Sequence, residues 1–336
     1  MSNFFLPPDS PFAGTLVQVP HILNPRDLLA FRPFTDWLAT LSNSFALQST
    51  NPAHPFHSSP YRLHSINIQT VDFFRPGPGA TRPRIGFLKL QADISNSKHE
   101  NLPGGVFMRG GSVAMLIIIT PTDDDGSGGR DEHSAQSTTT TSSKTISSYE
   151  SEADEYVVLT IQPRIPTGSL AFVELPAGMI DDAGSFAGAA AKEIKEETGM
   201  DIKEDELIDL TKLASESASA SSDPPLTSSS GGVSAADEKD RQQEDVLQSE
   251  TLALHDALYA SPGGSDEFIP VLAARKRLNR RQIEELQGKM TGLRDKGEKI
   301  TLKLVRLKDL WKVGARDAKT VAAWGLWEGL RREGKV

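Results

Sequence analysis

The strongest constraint on this chain lies in residues 175–200, where Leu-Pro-Ala-Gly opens a tight turn and Glu193, Glu196 and Glu197 follow on a short alanine-rich stretch. Ser185 is a good N-cap and Gly199 is placed to close a helix as a C-terminal cap, so a helix beginning near residue 185 is predicted. Helical residues three and four apart are neighbours, which crowds the three carboxylates roughly onto one face. Like charges at that spacing repel. A hard divalent cation among them makes the arrangement favourable, and oxygen-only donors suit Mg²⁺ or Mn²⁺, which commonly bridge to substrate phosphates. An isolated acidic string is ordinarily a solvated helix face. Here the Pro176-Ala177-Gly178 turn before it and Gly199 after it shift the reading to a metal site.

The 336 residues are 38% hydrophobic and 24% charged, which describes a globular protein carrying extra polar material. That material sits in two places. Residues 121–155 hold the Thr138 to Thr141 run and nine acidic against two basic side chains; residues 213–250 are Ser-rich, with eight acidic against two basic. Neither shows sustained apolar periodicity, so both are expected to be disordered insertions in loops. They carry −7 and −6 of a net charge of −9, which leaves the rest of the chain at +4. A mildly basic remainder suits a phosphate-bearing small molecule. It has no Lys/Arg stripe with interleaved aromatics, so nucleic acid is not expected as a ligand. The chain has no cysteine, which removes disulfides and thiol catalysis. The apolar run 113–119 is too short to span a bilayer, no membrane association is expected, and without a recognisable targeting segment a cytoplasmic protein is the default.

Helical spacing appears at 27–41, and strands are predicted at 65–74, 85–94, 112–120, 156–163, 267–274 and 300–306. A closing helix over Ala318–Arg332 carries Val321, Trp324, Leu326, Trp327 and Leu330 as candidate core residues. The sum is a mixed α/β sandwich preceded by a smaller β-containing N-terminal region. His54 and His57 stand in a Pro-rich stretch without further ligands at zinc spacing and are taken as loop residues.

The turn and helix resemble the Nudix box, whose pattern is Gly, five residues, Glu, seven residues, then Arg-Glu-hydrophobic-x-Glu-Glu-x-Gly-hydrophobic. Gly178, Glu193, Ile194, Glu196, Glu197, Gly199 and Met200 fall on it. Lys192 stands where Arg is usual, and Gly184 where the first Glu is expected, unless Asp181 or Asp182 takes over that role. Outside the box, residues 84–94, 109–115, 162–168, 261–267 and 286–294 resemble the ADP-ribose and ADP-glucose pyrophosphatase group, in particular the plant chloroplast ADP-sugar diphosphatases.

The resemblance implies a Nudix α/β/α sandwich over 101–336, with the insertions at about 121–155 and 213–250, preceded by a region 1–100 serving dimerisation and substrate contacts. It implies Mg²⁺-dependent hydrolysis of a nucleotide sugar (ADP-ribose, ADP-glucose or ADP-mannose) to AMP and a sugar phosphate, by a homodimer. Glu193 and Glu197 are then principal metal ligands, Glu196 a further ligand or a base, and the Ala177 carbonyl another donor. Glu267, on a Ser-Pro-Gly-Gly loop flexible enough to close over a ligand, is expected to orient or deprotonate the attacking water. Arg109 and Arg164 are expected to clamp the diphosphate, since guanidinium forks match phosphate oxygens, with Arg84 and Arg75 as weaker candidates. Phe73, Phe74 or Phe107 are candidates to stack on adenine. The alternatives are a catalytically silent ADP-ribose-binding module and a Nudix hydrolase of another nucleoside diphosphate derivative.

Overall fold

The computed structural model describes residues 1–74, 83–122, 155–180, 185–220, 246, 250, 254–293 and 298–336. Arg75, Asp181, Asp182, Gly184, nearly all of the first expected insertion and most of the second lie outside the described residues. The chain forms two compact units, Met1–Gly111 with Ser219–Phe268, and Ser112–Ala218 with Ile269–Val336. Among the described residues no helix is long and apolar enough to cross a membrane.

The first unit is built on a five-stranded sheet of β1 (Ser2–Phe5), β2 (Leu16–Val19), β3 (Arg62–Phe74), β4 (Arg84–Ser95) and β5 (Gly105–Met108), in that order. Only β2 and β3 pair in parallel. Alternation along β3 and β4 turns Ile66, Ile68, Leu88 and Leu90 into a core shared with Phe34 and Leu38. The helical region differs from the prediction for 27–41. It is two helices, α1 (Pro25–Leu29) and α2 (Arg32–Thr50). Pro33 sits in the first turn of α2, where its missing N–H costs nothing, so it starts a new helix and does not continue the old one. The tail of the second expected insertion returns to this unit: Val246 is buried, and the Glu250 carboxylate meets His54 Nε2 at 3.2 Å.

The second unit holds a mixed sheet. Its main path runs β10 (Ile208–Asp209), β11 (Val271–Asn279), β6 (Ser112–Thr122), β7 (Tyr156–Arg164), β13 (Ile300–Arg306) and β12 (Met290–Thr291); β8 (Ser169–Glu174) joins β7 and β9 (Ala177–Met179) joins β6. The run 113–119 is fully buried because β6 is covered on both faces. One face receives α3 (Phe186–Thr198) through Ala189, Ala190 and Ile194. The final helix, Ala318–Arg332, reaches β6 as well and buries Ala323, Trp327 and Leu330. Val321 is exposed and Trp324 only half-buried, packing on Trp311 at 6.3 Å, because the stripe through 320, 323, 327 and 330 faces inward. The strand expected at 267–274 is broken. Pro270 has no N–H for the ladder, and β11 begins after it, parallel to β6 from Val271 opposite Ala114. The helix α4 (Leu210–Ala220) extends into the range expected to be the second insertion.

Candidate active site

In the second unit, α3 is capped as its sequence requires. Ser185 Oγ accepts the Gly188 N–H at 2.9 Å, and Gly199, left-handed at φ 75°, donates its N–H to the Lys195 carbonyl at 3.0 Å. The turn before it is fixed to the sheet. Ala177 pairs with Ala114, and the Pro176 carbonyl accepts the Met115 N–H at 3.0 Å. Turn and helix then meet at two points. Any Cβ at position 178 would overlap the Glu193 carboxyl, so only glycine lets that carboxylate lie against the turn. The Ala177 N–H donates to Glu197 Oε2 at 3.0 Å, and Glu197 is only 6% exposed. Burial, and then the charge of Glu193, push the Glu197 carboxyl up to about 8, against the pull of the Ala177 N–H and of Arg164. Glu196 is half-buried on the same helix. At its far end, α3 is braced by the Thr291 hydroxyl, which donates to the Glu197 carbonyl.

Arg164, at the end of β7, donates Nε to Glu174 Oε1 at 2.5 Å, and Lys319 Nζ holds the other Glu174 oxygen at 2.9 Å. The guanidinium is partly exposed, and its Nη groups have no hydrogen bond or ion pair among the described residues.

Arg84, Arg109 and Glu267 belong to the first unit. Arg109 Nη1 meets Glu267 Oε1 at 3.0 Å. The loop carrying Glu267 is hydrogen-bonded to β5 and the residues after it. The Gly264 carbonyl accepts the Phe107 N–H at 2.7 Å, and Asp266 accepts the N–H groups of Arg109 at 2.8 Å and Gly110 at 3.1 Å. Burial raises the Asp266 carboxyl while those two N–H groups lower it, with burial prevailing. Phe74, Phe87 and Phe107 form a row across β3, β4 and β5, with centroids 5.3 and 5.7 Å apart, and Arg84 lies 5.4 Å over Phe74. Phe73 instead packs against the core.

The NUDIX domain family model matches residues 148–270. Over 313 residues, 93% of this chain and 74% of the relative, the sequence is 31% identical to Nudix hydrolase 14, chloroplastic, of Arabidopsis thaliana. The chain belongs to the Nudix hydrolase family. Putative nudix hydrolase 2 of Caenorhabditis elegans shares 46% identity over 54 residues, 16% of this chain and 24% of that protein. A solved ADP compounds hydrolase covers 82% of this chain and 99% of its own, at 15% identity and a TM-score of 0.37.

Within this Nudix hydrolase, Glu193 and Glu197 fit a hard divalent cation. Two carboxylates are held close enough to repel, one of them buried, with a side-chain-free cradle at Gly178. Among the described residues no three His, Asp or Glu side chains converge on one point. Sequence reasoning missed Glu174, Asp266, Thr291, Asp317 and Lys319. Asp317 alone had a local signal, since an aspartate directly before a predicted helix is a standard N-cap.

Proposed function

We propose that this Nudix hydrolase cleaves the diphosphate of ADP-sugars (ADP-ribose, ADP-glucose or ADP-mannose), releasing AMP and a sugar phosphate, with Mg²⁺ and alternatively Mn²⁺ as its metal. The observation that carries the reading is the like-charged pair Glu193–Glu197 held against the Ala177-Gly178 turn. When bound, Mg²⁺ supplies charge neutralisation at the diphosphate oxygens and a more acidic water. Glu193 and Glu197 hold it, with Glu196 and the Ala177 carbonyl as further donors. The Ala177 N–H orients Glu197 through Oε2.

Arg164 presents its Nη groups to the diphosphate, Nε being already engaged by Glu174. Glu267 takes the proton of the attacking water, and Arg109 orients Glu267 and contributes positive charge to substrate binding. For adenine, the Phe74–Phe87–Phe107 row offers a stacking face, flanked by Arg84; Phe107→Ala raising KM with little change in kcat would support it, and an unchanged KM would remove it. A homodimer is proposed from the family resemblance alone, and light scattering of the full chain decides it.

The test is AMP release from ADP-ribose, ADP-glucose, ADP-mannose and GDP-mannose, with and without Mg²⁺. Preference for GDP-mannose would move the substrate to another nucleoside diphosphate derivative. A second reading, a silent binding module, is favoured by Gly184 where the first Glu is expected and by Lys192 in place of the usual Arg; it requires Mg²⁺-independent ADP-ribose binding and no product.

A further inference from the structure

The final helix of the second unit begins with a group of charged residues that the proposed chemistry does not use. Asp317 caps the helix, accepting the N–H groups of Lys319 and Thr320 at 3.3 and 3.2 Å. Its Oδ2 also accepts the Thr320 hydroxyl at 2.6 Å and the Leu175 N–H at 3.2 Å. Thr320 Oγ1 accepts that same Leu175 N–H at 3.2 Å. Lys319 Nζ lies 2.9 Å from Asp317 Oδ1 and 2.9 Å from Glu174 Oε2, and Glu174 Oε1 holds Arg164 at 2.5 Å. Charges therefore alternate from Asp317 through Lys319 and Glu174 to Arg164. Glu174 is 2% and Asp317 4% exposed.

Burial disfavours the charge on Lys319, but Asp317 and Glu174 outweigh it and raise its pKa, so the ammonium stays charged. Stability is a weak reason for such a group, because the desolvation of buried ions offsets most of their attraction, and well-packed apolar side chains usually do as well. Position is a better one. The network fastens residues 174 and 175 by a backbone N–H and a side chain. Two residues later the Ala177 N–H meets Glu197, and the Gly178 cradle receives Glu193.

We propose that Asp317 and Lys319 are positioning residues of the active site, holding the 174–178 turn against α3 and setting the plane of the Arg164 guanidinium. The inference rests on the reading that this turn and helix bind a metal and a diphosphate. Groups that orient metal ligands from outside change affinity or activity without touching the metal.

The test uses the full-length protein and Lys319→Met, which keeps the aliphatic stem and removes the charge. Mn²⁺ affinity is read by electron paramagnetic resonance without nucleotide, beside kcat, KM and the melting temperature. The expected result is Mn²⁺ affinity or kcat/KM lowered about ten- to a hundredfold at a temperature where circular dichroism shows the variant folded. Wild-type Mn²⁺ affinity and wild-type kcat/KM in Lys319→Met, whatever its melting temperature, would overturn the inference. Should that variant not fold, Asp317→Asn retains a capping oxygen and carries the same expectation with the same overturning result. Wild-type protein that binds Mn²⁺ yet hydrolyses no ADP-sugar removes the substrate reading instead, and the Mn²⁺ comparison still decides this one.

Discussion

Glu197 and Glu267 are both proposed to act on the same reaction, yet the protein treats the two carboxylates in opposite ways. Glu197, in the second unit, is buried beside Glu193 and is pushed up to about 8. Glu267, in the first unit, has an arginine at 3.0 Å and stands on a loop stitched to β5 through Asp266 and Gly264. At Glu197 burial and the charge of Glu193 prevail over the Ala177 N–H and Arg164, and an added cation would offset them. Glu267 has a cation within the chain, in Arg109. Under the proposed function, metal binding is therefore assigned to the first carboxylate and water activation to the second.

The two should separate under mutation. Glu267→Gln is expected to lower kcat by about 10²–10⁴-fold with Mn²⁺ affinity and KM little changed; unchanged turnover would remove Glu267 from the chemistry. Glu197→Gln is expected to weaken Mn²⁺ binding more than about a hundredfold, beyond the loss typical of residues that only support metal ligands. Smaller effects sharpen the contrast. Gly178→Ala drives a methyl into the Glu193 carboxyl, which must swing away from the turn. Mn²⁺ affinity should fall with it, and wild-type Mn²⁺ affinity would mean that the cradle does not position Glu193. Asp266→Ala leaves the Arg109 and Gly110 N–H groups without their acceptor, a cost of about 1–3 kcal/mol in chemical denaturation, but with Mn²⁺ affinity retained.

The pH dependence of stability is a further contrast. Glu197 titrates higher in the folded protein than in an unfolded chain, so folding is favoured by its protonated form. That contribution is complete below the ordinary carboxylate range and is lost as pH rises through about 8. Metal-free protein should melt at progressively lower temperature from about pH 5 to pH 8, and Glu197→Gln should flatten the trend. Mg²⁺ should oppose it, because metal binds the ionised pair.

The sequence was most informative where interactions are local. Ser185, Gly199 and the spacing of Glu193 and Glu197 define a capped helix with clustered charge from within a single stretch of chain, and the structure has that helix. It was least informative where partners lie far apart. Asp317 meets Leu175 across 142 positions, and Asp266 meets Arg109 across 157. No periodicity or motif spacing encodes such pairs. Backbone chemistry explains the misplaced boundaries: Pro33 restarts a helix and Pro270 interrupts a strand, each through the N–H that proline lacks. The closing helix shows a third limit. Its apolar positions outnumber what one face can bury, so Val321 and Trp324 were indistinguishable from Trp327 by composition.

The most direct test is AMP release from ADP-ribose by wild-type protein and Glu197→Gln, each titrated with Mg²⁺. The account predicts Mg²⁺-dependent AMP from the wild type and, from the variant, little AMP at any Mg²⁺ concentration. AMP released equally by both, or by the wild type without divalent cation, would contradict it.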